Sequence, residues 1–281
     1  MSRIAIVADS TSNIPQELVS RYNIRVVPLH INWDGVSYRD GIDMTAKELY
    51  PRMRTSKTLP TTDSAIQGEF LLVFEELRGK VDGVVTITLC PDLPSGGYSS
   101  ALTAKGMVPD LPIEVIDSRF STMAEGWVVL AAARAAAAGA SMEEVVKAAR
   151  ETIPKVNLIF AFDTLKYLHR IGRVSAPKAL IADLMKVKPI MTIQEGKVVP
   201  LDRARSKPKA IERISELTRE KVKGTPLHMA VMHADVLEEA ERLKEAIASE
   251  FKPAELLITD FTLVMGAACG PGVIGVAFYN E

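Results

Sequence analysis

The chain has 281 residues, 47% of them hydrophobic and 25% charged, with a formal net charge of −1. That length suits one large α/β domain or two ordinary ones, and the composition excludes a disordered chain. The near-neutral charge argues against a nucleic-acid binder built on a strongly basic surface.

The opening run Ile4–Ala8 reads as a buried strand. It stops at Asp9, too soon for a secretion signal. The cluster Asp9-Ser10-Thr11-Ser12-Asn13 follows, at a strand end where α/β proteins put functional residues, and Pro15 opens a helix. Ile24–Ile31 is a second strand, Asp34-Gly35 a turn and Val36–Arg39 its return. Thr45 caps a helix to about Met53, and Lys57–Ser64 reads as a polar, hydroxyl-rich loop before a helix over Gln67–Leu77. Val84–Thr88 is a strand that breaks at Pro91 and turns through Ser95-Gly96-Gly97 into a helix. Ile113–Ile116 is another strand, and Gly126–Ala138 is so apolar that burial on most sides is expected. A capping box at Ser141–Glu144 starts a helix that ends near Pro154. From Val156 the pattern changes: a strand over Leu158–Phe162, a short helix near Asp163–Leu168, a helix over Ala179–Val187 and a hairpin around Gly196. Helices over Lys207–Lys221 and Val236–Phe251 then alternate with strands over His228–His233, Leu256–Thr259 and Val273–Tyr279.

This order predicts an α/β chain in two domains. Residues 1–155 form an N-terminal domain with a largely parallel sheet flanked by helices. Residues 156–281 form an α+β domain with a mixed sheet, and a cleft between the two is the natural ligand site.

Strand, Ser-Gly-Gly turn and helix start together make an anion site at Ser95 and Gly96, open to phosphate, carboxylate or oxyanion. Thr61 and Thr62 add hydroxyls, and Gly270-Pro271-Gly272 is a third loop of interest. Acid–base groups are few. His30 lies in an apolar strand and reads as structural, while His228 and His233 are five apart on one strand and make a poor metal pair. Cys90 and Cys269 have no CxxC spacing, so no disulfide framework, zinc site or other metal site is expected. No apolar run approaches the ~20 residues that span a bilayer. The bland sum is a cytoplasmic protein with two reduced thiols. Arg170, Arg173, Arg203 and Arg205 form a solvated face or a docking patch for an acidic partner.

Taken together, Ile6–Pro15 (IVADSTSNIP), Val26–Gly41, Pro60–Phe70, Ser95–Ala101, Val115–Ser118, Leu165–Ser175 (LKYLHRIGRVS), Lys188–Gly196, Arg205–Ala210 and Gly270–Phe278 (GPGVIGVAF) resemble, in number and order, the DegV family of bacterial fatty-acid-binding proteins. The resemblance implies two α/β-type domains and a bound long-chain fatty acid with its carboxylate on hydroxyls. It implies no cofactor and no catalysis by the chain itself, but presentation of the acid to a fatty acid kinase for phospholipid synthesis. Carried over residue by residue, the carboxylate falls to Thr62 and Ser95, beside Thr61 and Gly96, and kinase docking to Arg173 and Arg205. The sequence departs from the family at Ala268, where a histidine is usual, at Asp63-Ser64-Ala65 after Thr62, at Gly97 and at Ile171. One head-group donor is thereby missing, and Asp63 is expected to turn away and cap the helix that follows. The rival readings are a small-molecule transferase or hydrolase using the Ser95-Gly96-Gly97 anion site with Asp63 as base, and an interaction module that has lost its lipid.

Overall fold

The structure, a computed structural model, describes residues 3–63, 67–91, 96–172, 187–224 and 226–281, with only the main chain at Asp63. The first part of the chain runs β1 (Ile4–Asp9), α1 (Gln16–Arg21), β2 (Arg25–Val27), β3 (His30–Trp33), β4 (Val36–Arg39), α2 (Ala46–Thr55), β5 (Thr61–Asp63), α3 (Gln67–Leu77), β6 (Gly83–Thr88), α4 (Gly97–Gly106), β7 (Ile113–Asp117), α5 (Thr122–Ala137) and α6 (Met142–Thr152). β2, β1, β6 and β7 pair in that order, all parallel. β6 is buried along its whole length, as a Val/Ile/Thr run covered on both faces must be. Ser141 and Glu144 form the anticipated capping box at the start of α6.

A second, antiparallel sheet of order β4-β3-β5 differs from the sequence reading. The β3–β4 hairpin turns at Asp34 and Gly35, with φ of 54° and 81°, the double left-handed turn that Asp-Gly favours. The hydroxyl-rich stretch, read as a loop, contains β5, which pairs with β3 through Ile31 and Thr62. Three polar residues carry no periodic signal; the open edge of β3 supplies the partners that make them a strand.

The second part runs β8 (Asn157–Ala161), α7 (Lys166–Arg170), β9 (Lys188–Gln194), β10 (Lys197–Ala204), α8 (Lys207–Lys221), β11 (Leu227–His233), α9 (Leu237–Phe251), β12 (Glu255–Asp260), α10 (Leu263–Cys269) and β13 (Ile274–Asn280). Its mixed sheet has the order β10-β9-β8-β13-β11-β12, antiparallel except between β11 and β12. The helix expected over 179–187 falls at 179–186 outside the described residues. α10 is a helix that the sequence reading missed. Its seven residues are all buried and apolar or small, so they show no amphipathic period.

Alternation along the strands of the mixed sheet divides its two faces. Ile159, Ile274, Val276 and Phe278 pack under α8 and α9, while Leu158, Phe160, Ala277 and Tyr279 turn to the core shared with the first part of the chain. α5 lies between the parallel and mixed sheets. Its residues from Thr122 to Leu130 are all buried, and the Trp127 indole N–H donates to Ala277 O at 3.0 Å.

Two close approaches hold this joint. A Cβ on Gly126 would lie 2.5 Å from Ser12 O and 2.9 Å from Met123 Sδ, so only glycine lets α5 pass the turn after β1. Asp40, 7% exposed, accepts from Ser10 Oγ at 2.8 Å and from Leu263 N at 2.8 Å. One carboxylate thus ties the first loop to the start of α10. We expect Gly126→Ala to lower unfolding free energy by about 2–3 kcal/mol through overpacking against backbone, read by denaturant titration. Asp40→Ala strands the Leu263 N–H and should cost about 2–3 kcal/mol, with Asp40→Asn milder because its Oδ1 can still accept.

Candidate functional site

The chain leaves β1 toward β2 and leaves β6 toward β7, on opposite sides. The loops therefore diverge beyond the carboxyl ends of β1 and β6, where open α/β sheets place ligands. A narrow cavity of about 60 Å³ lies there. Thr11 and Leu89 come from those two loops, Ser121 from the start of α5 and Thr62 from β5. The opposite wall is apolar and belongs to the second part of the chain: Phe160, Ile193 and Val198 from the mixed sheet, Phe162 and Leu168 after β8, and Val264, Met265, Ala268 and Cys269 from α10. Among the described lining residues the only oxygen-bearing side chains are the hydroxyls of Thr11, Thr62 and Ser121. Burial pushes the Cys269 thiol up to about 12, so it lines the wall as an uncharged apolar group.

The structure brings some of the sequence-derived residues together and separates others. Thr62 is half-buried and lines the cavity. Thr61 alternates to the other face of β5, where it is exposed and its hydroxyl reaches Asn32 O at 3.5 Å. Gly96 is the N-cap of α4 with φ 60°, a left-handed conformation that glycine adopts without strain, and it is half-buried. Ser95, Arg173 and the Asp63 side chain lie outside the described residues. Arg205 is exposed just beyond β10.

One reading needs correction. Gly-Pro-Gly does not line the cavity; α10, directly before it, does. Gly270 instead closes against the Tyr167 ring and Gly272 against the Asp163 carboxylate, where a Cβ would lie 2.1 and 2.2 Å away. Arg170 is exposed, as a solvated face requires, and is anchored as well. Its guanidinium donates to Leu59 O at 2.7 Å and Pro60 O at 2.6 Å, which fixes the segment leading into β5.

His30 and His228 are satisfied structural groups. His30 meets Ser37 Oγ and Glu69 Oε1, each at 3.0 Å, and His228 lies between Glu255 and Glu281. Among the described residues no group of His, Cys, Asp or Glu could hold a metal ion.

Sequence reasoning missed a buried acid pair behind the cavity wall. Asp9 and Glu125 are both fully buried, and Thr11 Oγ1 lies 2.6 Å from Asp9 Oδ1 and 2.8 Å from Glu125 Oε2. One hydroxyl has one hydrogen, so one of the two acids must be protonated. Asp9 accepts from Thr11 N and Leu89 N, each at 2.9 Å, whereas Glu125 Oε1 has no hydrogen-bond partner. Burial pushes Asp9 up to about 6 against these hydrogen bonds. Burial and then the Asp9 charge push Glu125 well above the usual carboxylate range. The proton therefore sits on Glu125, which donates to Thr11, which donates to Asp9. The cluster after β1 flagged Asp9 and Thr11, but nothing in the apolar stretch around Glu125 marked its partner 114 residues away. Thr122, at the start of α5, is held at φ 60°, a costly conformation for a β-branched residue, beside Ser121.

Known proteins match this arrangement over its whole length. A family model described as "Uncharacterised protein, DegV family" matches residues 3–281. A DegV domain-containing protein of Caldanaerobacter subterraneus subsp. tengcongensis is 40% identical over 286 residues, covering 100% of both chains. A DegV family protein of Thermus thermophilus, described for its fatty acid binding, superposes with a TM-score of 0.93 at 30% identity, covering 99% of this chain and 100% of that one. DegV of Bacillus subtilis, described as a fatty acid binding protein, superposes with a TM-score of 0.92 at 34% identity and covers 100% of both. With its family model matched over residues 3–281 and its parallel and mixed sheets shared with those structures, the chain belongs to the DegV family.

Proposed function

We propose that the protein binds one long-chain fatty acid without turning it over, with the carboxyl group held by Thr62 and Ser95 and the acyl chain in the cavity between residues 1–155 and 156–281, taken as two domains. The observation that carries this reading is the cavity itself: an apolar slot whose oxygen-bearing described side chains are three hydroxyls. Hydroxyls can orient a carboxyl group by hydrogen bonding without any covalent step. The fatty-acid binding described for the Thermus thermophilus and Bacillus subtilis relatives supports the same reading.

Affinity comes from the tail, at roughly 0.8 kcal/mol per buried CH₂. At about 60 Å³ the slot is far too small for a long acyl chain, which must therefore widen it. Met265, unbranched and with three rotatable bonds, is the wall residue best suited to swing aside. Ala268 contributes a methyl group where the family usually has a histidine, which makes the wall more apolar. Among the described residues no helix is long and apolar enough to cross a membrane. In this proposal the protein works in the cytoplasm and passes its ligand to a fatty acid kinase through a surface that includes Arg173 and Arg205.

Thr62→Val and Ser95→Ala should each weaken fatty-acid binding about 10- to 100-fold, the worth of a hydrogen bond to a charged group, with unchanged thermal unfolding. Titration calorimetry checks this, and undiminished affinity in both would sink the head-group assignment. Arg205→Glu should leave fatty-acid affinity as it is and lower the yield of acyl phosphate when a fatty acid kinase and ATP are supplied.

A further inference from the structure

Resting on that reading, we infer that the protein takes up one proton with its ligand: the fatty-acid carboxyl, Asp9 and Glu125, connected through Thr11, carry two protons and one negative charge among the three groups. Thr11 carries the inference because it belongs to both systems. It lines the cavity, and its Oγ1 is the atom between the two buried acids.

The hydrogen count leaves little freedom. Thr11 donates its one hydrogen to Asp9 and accepts from the protonated Glu125, so a single lone pair remains for the cavity. Toward a ligand it is an acceptor only, and an acceptor suits a carboxylic acid O–H rather than a carboxylate. A second negative charge would also face Asp9 across one hydroxyl, in surroundings that exclude water. Among the described residues the charged groups acting on the pair are themselves acids: Asp40 beside Asp9, and Asp9 and Asp117 beside Glu125. Glu125 Oε1, fully buried and without a partner, shows the same shortage of donors.

Above about pH 6 the free protein holds Asp9 as an anion and Glu125 as an acid, and the free ligand is an anion. The complex takes one proton from solvent, which rests on the ligand carboxyl or on Asp9, at either end of the Thr11 bridge. Linkage then requires affinity to fall as pH rises, by up to tenfold per pH unit. Glu125 and Thr11 act as positioning residues for this proton.

The test is titration of the full chain with tetradecanoic acid between pH 6.5 and 8.5, by calorimetry in two buffers of different ionisation enthalpy, with tetradecan-1-ol as the non-ionising control. We expect the acid to bind about tenfold more weakly per pH unit with uptake of about one proton at pH 8, and the alcohol to bind independently of pH. Asp9→Asn removes the charge and should flatten the acid's dependence, and Thr11→Ser should keep it. Acid binding that is flat with pH and takes up no proton would overturn the inference and leave the proposed function standing. So would a folded Asp9→Asn protein that keeps the tenfold slope. No acid binding at any pH would overturn the proposed function and the inference with it. Should Asp9→Asn not fold, the slope and proton uptake of the natural protein decide alone.

Discussion

Burying carboxyl groups is costly unless each is neutralised or surrounded by donors, and this protein buries three of them where its two parts meet. Asp40 is supplied by Ser10 and by the first N–H groups of α10. Asp9 is supplied by Thr11 and by the loop after β6, and Glu125 by a proton of its own. Each solution demands a particular backbone position from an element distant in sequence. The turn after β1, the start of α5 and the start of α10 are therefore held in one arrangement, with Gly126 allowing the approach.

The cavity follows from that arrangement. Its polar rim is the set of residues that the buried acids and β5 hold at the sheet ends, and its apolar wall is the inner face of the mixed sheet together with α10. The hydrophobic effect supplies most of what closes the joint, since the shared core runs without interruption from Val7 and Ile87 through Trp127 to Phe160 and Ala277. Polar contacts decide which way it closes. Arg170 reaches back to Leu59 and Pro60, and Asn13 donates to Asp260 O at 2.6 Å, bonds whose geometry holds for one relative placement. The proposed binding of a fatty acid would need no nucleophile. It requires a dry slot, a few hydroxyls and a fixed distance between them.

Much of the fold was legible in the chain because local chemistry and tertiary demand agreed. Val84–Thr88 is a buried strand by composition and in fact, the Asp34-Gly35 turn makes the hairpin it signals, and Gly126–Ala138 is apolar because two sheets cover it. Reading failed where a segment has no preference of its own. β5 is three polar residues whose structure is borrowed from the edge of β3, and α10 is uniformly apolar, which erases the period that marks a helix. The anchoring of the exposed Arg170 was not legible either, because its acceptors are backbone carbonyls far along the chain.

By itself the sequence determined the class of fold, the parallel-then-mixed order of sheets, the family and two of the hydroxyl-bearing segments that line the cavity, since each is written in contiguous residues. Only the tertiary structure decided that Thr62 turns toward the cavity while Thr61 turns away, that α10 and not the Gly-Pro-Gly loop forms its wall, and that Thr11 stands between two buried acids. The physical reason is the same in all three cases. Which face a side chain occupies, and whether a carboxyl group keeps its proton, depend on what other elements bring within a few ångströms, and neither is a property of the residue's neighbours in sequence.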